Sequence, residues 1–257
     1  MICAVTQQKG GVGKTTSAIN LGAALRDLGK KVLLVDLDPQ GSLTASLGIN
    51  PDELEVTIYT ALMEKRAEKA REIIRSATVT TETGLHLIPS NIDLAKAEIE
   101  LTGEVARERR LKARLAEWTD QFDYVLIDCP PSLGLLTVNA LVAASRVIVP
   151  VQCQFLALRG LLTLADTITD VQTAIEESKG LRIQGILGTM HDRTNHANET
   201  MTFLRGKYGE LVYSAVIPKT IRFAQATTDG RPLLDTDAES PASIAYRNLA
   251  QEVIQRA

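Results

Sequence analysis

Short apolar runs alternate along the chain with longer stretches in which apolar residues recur every three or four positions. Residues 2–6 (ICAVT) form the first run and end at a glycine-rich turn. Over residues 14–28, Ile19, Leu21, Ala24, Leu25 and Leu28 form one helical stripe, and Gly29 follows where a helix C-terminus places glycine. Residues 31–36 (KVLLVD) lack polar alternation and predict a strand buried on both faces. Residues 52–118 read as mostly helical and charged, with a short strand at 86–90. Further strands are predicted at 124–132, 146–151, 183–190 and 211–218. Helices are predicted at 156–177, near 197–208 and at 240–254, the last with Ser240 as N-cap and Pro241 at its first position. Such alternation predicts an α/β fold: a doubly wound, mostly parallel β-sheet flanked by helices. With no internal repeat or Pro/Ser-rich linker, a single domain over residues 1–257 is expected.

Composition narrows the class. A chain of 257 residues with 45% hydrophobic and 23% charged residues is ordinary for a globular protein, which excludes disordered and collagenous chains. No basic segment leads into an apolar run and cleavage site at the N-terminus, so no secretory signal is expected. No stretch approaches the length of a membrane-spanning helix. Cys3, Cys129 and Cys153 are widely spaced and odd in number, and read as reduced buried thiols. An iron–sulfur or zinc site would need closer partners than these and His86, His191 and His196. A net charge of −3 argues against a surface coated in positive charge, but leaves room for a local basic patch.

The strongest chemical signal is QQKGGVGKTTS, residues 7–17, between a predicted strand and a predicted helix. Gly10, Gly11 and Gly13 let the backbone turn tightly and aim N–H groups inward, where the helix N-terminus adds to the cradle for phosphate. Lys14 reaches the β- and γ-phosphates and the Thr15 hydroxyl ligates Mg²⁺, so residues 9–16, with Val12 and Thr16, form the expected ATP-binding segment. Gln8 stands where the standard phosphate-loop pattern has its first glycine. Lys9 precedes the tightest part of the loop and cannot easily wrap the same phosphates; one reading points it at a second subunit's nucleotide, another leaves it solvated.

In a doubly wound sheet, ligands sit beyond the carboxyl ends of the strands. Two predicted strands end there in acids: KVLLVD with Asp36 and then Asp38, and YVLIDCP with Asp128. Asp128 resembles a Walker B acid that binds Mg²⁺ directly or through water. Asp38, in DLDPQG, is placed to orient or deprotonate the attacking water, and Asp36 to support the magnesium shell. Thr15, Asp36, Asp38 and Asp128 are thus the candidate metal group, and Asp38, Lys14 and Lys9 the candidate catalytic residues.

KGGVGKTT, VLLVDLDPQG and YVLIDCPPSLG together resemble the ParA/MinD family of P-loop ATPases with a deviant Walker A loop, most nearly its Soj-like ParA type without an N-terminal DNA-binding domain. PVQCQFLALRGL (150–161), ILGTMHDRTN (186–195), VIPKTIRFAQA (216–226) and the final helix extend the resemblance over nearly the whole chain. It implies a Mg²⁺-dependent, cytoplasmic, nucleoid-associated ATPase of a bacterium or archaeon. Two subunits would sandwich two ATP molecules, with Lys9 crossing the interface. The ATP-bound homodimer would bind DNA without sequence preference, and a ParB-like or small adaptor protein on the cargo would stimulate hydrolysis. The cargo implied is a plasmid or chromosome, or alternatively a protein organelle such as a carboxysome. Met190 and Pro218 fall where the family packs adenine, and Arg193 and Arg222, with Lys219 beside them, where Soj-like proteins meet DNA.

Charge distribution fits that expectation. Residues 193–222 carry +3, including Arg205 and Lys207, and the rest of the chain carries −6. A small patch on an acidic protein suits weak, salt-sensitive phosphate contacts that a dimer doubles. Two residues depart from the family pattern: Arg159 replaces a frequent acid, and Gln154 a common glutamate, near a region expected to meet the activator. A MinD-type membrane ATPase would need a basic amphipathic C-terminal helix, and residues 244–254 show an apolar stripe with little charge excess. A redox ATPase like the nitrogenase iron protein would need two cysteines bridging a cluster, which Cys129 and Cys153 do not match.

Overall fold

A computed structural model of the chain describes residues 1–153 and 157–257, the side chains of 157–159 excepted. Among these residues, eight strands form one sheet: β1 (Ile2–Val5), β2 (Val32–Asp36), β3 (Val79–Thr80), β4 (His86–Ile88), β5 (Tyr124–Asp128), β6 (Arg146–Gln152), β7 (Arg182–His191) and β8 (Val212–Pro218). Their order is β3-β4-β2-β5-β1-β6-β7-β8, parallel throughout except for β3, which runs antiparallel to β4. The fold is therefore the expected one, an α/β doubly wound sheet. The short edge strand β3 has too few residues to show a pattern in the sequence.

Among the described residues, twelve helices connect and cover the strands. They are α1 (Lys14–Asp27), α2 (Ser42–Ser46), α3 (Ile58–Met63), α4 (Ala67–Ala77), α5 (Leu94–Glu100), α6 (Arg110–Leu115), α7 (Leu135–Ala143), α8 (Ala157–Ala174), α9 (Asn195–Tyr208), α10 (Arg222–Thr228), α11 (Leu233–Thr236) and α12 (Pro241–Gln255). Two predicted caps take the expected form. Ser240 accepts the Ser243 N–H at the head of α12, with Pro241 behind it. Beyond α1, Gly29 N–H donates to Arg26 O at 2.8 Å and Lys30 N–H to Leu25 O at 3.1 Å, a paired bond set that closes the last turn.

The two-residue period of the strands divides the core. Leu33, Val35, Val125 and Ile127 face one apolar layer with helices α3 to α9. Val32, Leu34, Tyr124 and Leu126 face the other, formed with α1 and α12. Both faces are covered, which is why these strands carry no polar alternation. All three cysteines are buried and free. Among the described residues no helix is long and apolar enough to cross a membrane.

Candidate nucleotide site and basic cleft

The loop after β1 turns through two glycines with left-handed backbone, Gly11 at φ +70° and Gly13 at φ +86°, a region most side chains avoid. Gly13 caps α1, and no acidic residue stands in that helix's first turn to compete with an anion. Lys14 is buried, at 7% exposure. The Thr189 hydroxyl of β7 donates to Val12 O at 2.8 Å and ties the loop to the sheet from the far side.

Beneath the loop, Thr15 Oγ1 donates to Asp128 Oδ2 at 2.6 Å. Asp128 is fully buried, and its Oδ1 has no partner. Burial, then the charge of Asp36, drives the Asp128 carboxyl well above the usual carboxylate range, while Thr15 and Lys14 pull the other way. Asp36 and Asp128 are directly opposed in register on β2 and β5. Asp36 is also fully buried, and burial raises it to about 6 against its hydrogen bonds. Its Oδ2 accepts from Thr44 Oγ1 at 2.7 Å and Thr44 N at 2.9 Å, and its Oδ1 from Asp38 N at 3.2 Å. Three donors, one from the following loop and two from Thr44 in α2, thus engage Asp36. Asp38 is half-buried, and its Oδ1 accepts the Gln40 N–H at 3.0 Å.

The donor set fits a hard divalent cation: a hydroxyl, and a buried carboxylate oxygen with nothing else to bind. Among the described residues no group of three His, Cys, Asp or Glu could hold a metal alone.

Next to the loop, a cavity of about 280 Å³ is lined by Gly13, Thr16, Met190, Pro218, Phe223 and Tyr246, among others. It is lined by both residues expected to pack adenine and by Gly13 and Thr16 of the loop expected to cradle phosphate. Met190 holds φ +53°, the left-handed region, at the end of β7. Phe223 and Tyr246 meet edge to face at 5.9 Å along this cavity. The sequence does not single out Thr189, Thr44, Phe223 or Tyr246.

Lys9 is half-buried, and its Nζ donates to Gln152 Oε1 of the same chain at 2.9 Å. Gln154 and the Arg159 side chain lie outside the described residues.

Arg193, Lys219 and Arg222 are exposed and line one cleft of about 260 Å³ with His191 and Asp192. The sheet brings them together by placing the ends of β7 and β8 side by side, with His191 paired to Pro218. Arg205 lines the neighbouring cavity with Arg193, and Lys207 lies over the Tyr208 ring at 5.4 Å. The spatial patch is less positive than residues 193–222 alone. Arg222 is ion-paired with Asp237, and Asp192 lines the same cleft as Arg193 and Lys219. Hydrogen bonds from Thr194 hold the Asp192 carboxyl below its ordinary value.

Residues 1–182 match the family model described as an AAA domain. The chain is 44% identical over 253 residues to the sporulation initiation inhibitor protein Soj of Bacillus subtilis, covering 98% of this chain and 97% of that one. It is 44% identical over 258 residues to the chromosome partitioning protein ParA of Caulobacter vibrioides, covering 99% and 94%. A crystal structure of cobyrinic acid a,c-diamide synthase from Mycobacterium smegmatis, with bound ATP analog and magnesium, superposes with a TM-score of 0.84 at 42% identity, covering 99% and 94%. Likeness of this extent, in a chain that opens on a phosphate loop with an added lysine, shows that it belongs to the ParA/MinD family of P-loop ATPases, close to its Soj-like ParA members.

Proposed function

We propose that the chain is a partition ATPase: it binds ATP with Mg²⁺, dimerises around the nucleotide, holds DNA without sequence preference and releases it on hydrolysis. The observation that carries the reading is the Thr15–Asp128 pair beneath the loop, with one buried Asp128 oxygen lacking a partner. Thr15 and Asp128 would hold Mg²⁺, which when bound neutralises charge on the β- and γ-phosphates. Lys14 and the loop N–H groups bind the same phosphates, Met190 and Pro218 enclose the base, and Asp38 orients the water and takes its proton. Phosphoryl transfer needs positioning and charge neutralisation more than covalent chemistry, and these residues supply both. Lys9 acts across the dimer, and Arg193, Lys219 and Arg222 contact DNA phosphates. A ParB-like partner on the DNA cargo stimulates turnover.

The names of the relatives, Soj and ParA, support partition over amide synthesis. The deciding experiment is electrophoretic retention of random-sequence DNA. Retention with ATP and release with ADP are expected; equal mobility in both states overturns the proposal.

A further inference from the structure

Asp38 stands on a loop that must hold one position relative to the phosphate loop, yet its own strand, β2, ends at Asp36. The loop between them and α2 is pinned from a different strand. The Ser90 N–H, just past β4, donates to Thr44 Oγ1 at 3.0 Å. Thr44 Oγ1 in turn donates to Asp36 Oδ2 at 2.7 Å, and Asp36 Oδ1 accepts the Asp38 N–H at 3.2 Å. Asp36, Thr44 and Ser90 are all fully buried, at 0% exposure, so water cannot replace a missing link. The direction of the chain is fixed by chemistry: a hydroxyl has one proton, and a backbone N–H can only donate.

A second contact closes the same loop. Gly41 sits at φ +61°, and a Cβ there would meet Pro51 Cγ at 3.1 Å and Ser90 O at 3.2 Å. The Gly41 N–H donates to Asp38 O at 2.9 Å, which closes the turn carrying Asp38. The Ser90 N–H thus bonds Thr44, and its carbonyl lies close beside Gly41 in the same 38–44 segment. The Pro89 carbonyl beside it accepts the Ile58 N–H at the head of α3.

From this geometry we infer that Thr44 is a positioning residue for hydrolysis: its hydroxyl locks the Asp38 turn to the end of β4, so that the water-activating carboxylate is located by two strands instead of one. The inference rests on the reading of Asp38 as the residue that activates water. Thr44 touches neither nucleotide nor water and acts through Asp36.

Three variants and one exchange measurement test it. Thr44→Val keeps the shape and removes the hydroxyl. It lowers kcat for ATP roughly 10- to 100-fold, the loss expected for a small displacement of a reacting group, and leaves KM and fluorescent-nucleotide binding unchanged. Thr44→Ser restores the hydroxyl and most of the rate. Wild-type turnover in Thr44→Val, in parallel with an inactive Asp38→Ala, overturns the inference alone. Equal losses in Thr44→Ser and Thr44→Val assign the residue to packing and also overturn it. Full turnover in Asp38→Ala removes the reading beneath it. Should Thr44→Val fail to fold, amide hydrogen exchange on the wild-type chain decides. The Ser90, Thr44 and Asp38 amides must open as one unit, and free exchange at Asp38 and Thr44 with Ser90 protected refutes the lock.

Discussion

At the carboxyl ends of β2 and β5 two carboxylates lie fully buried and opposite each other, held by Thr15, Thr44 and backbone N–H groups. Beyond β7 and β8 three cations stand exposed around a cleft, one of them already paired with an acid. The two regions treat charge in opposite ways. In the first, water is excluded, each interaction is strong, and like charges crowd together at an energetic cost that a divalent cation would relieve. In the second, solvent screens every contact, and binding grows only with the number of phosphates met. A site of the first kind decides whether chemistry occurs. In the proposed cycle, one of the second kind decides how firmly the ATP-bound form is held on DNA.

The contrast fixes the order of expected effects. Asp38→Ala is the largest: turnover falls by roughly 10²- to 10⁴-fold, as for loss of a general base, while ATP is still bound. Phosphate release and nucleotide binding measured together check it, and unchanged turnover would remove Asp38 from the chemistry. Next comes Lys9→Ala, which abolishes the ATP-dependent dimer. Light scattering with ATP reads this directly, and a normal dimer would sink the trans-acting role.

Asp128→Asn has a smaller effect, of opposite sign in the two nucleotide states. Burial raises Asp36 and Asp128, so the folded protein keeps protons that the unfolded chain releases above pH about 4. The stability these groups provide is greatest in acid and declines as pH climbs through about 6 for Asp36. Removing the Asp128 charge relieves the pair. Nucleotide-free Asp128→Asn therefore melts higher than wild type at pH 8, by roughly 2–4 °C for each kcal/mol gained at this chain size. The same variant loses Mg²⁺-dependent stabilisation by ATP. Calorimetry at pH 5 and 8 tests both, and a lower melting temperature at pH 8 contradicts the strained pair.

The smallest effects belong to the cleft. Arg193→Ala weakens retention of random DNA several-fold and flattens the salt dependence by about one phosphate contact. Arg222→Ala costs less, because Asp237 already holds that guanidinium. Equal losses from the two would show that the Asp237 pair opens freely on DNA.

Legibility in the sequence follows the same divide between local and distant partners. The phosphate loop, the strand-end acids and the Ser240–Pro241 cap lie in consecutive residues, so their pattern shows before any fold is known. Phase along the strands assigns Leu33 and Val35 to one layer and Val32 and Leu34 to the other only once helices cover both faces. Thr189 bonds Val12 across 177 positions, and Ser90 bonds Thr44 across 46. Nothing near either residue marks it, since a lone threonine or serine is common in any strand or turn. The basic cleft was half legible: the arginines and lysine stand out as a charge excess, but Asp237, which tempers them, lies outside the counted segment.

Lys9 rests on an amide and not on a carboxylate. An ion pair there would make the free subunit a trap, since every encounter with a partner would begin by separating opposite charges. A neutral acceptor at a half-exposed position gives up one hydrogen bond, which water replaces as the side chain swings away. If Lys9 acts across a dimer as proposed, the subunit would be poised close to indifference between standing alone and reaching across, and the nucleotide, not the lysine's own attachments, would set the balance between one subunit and two.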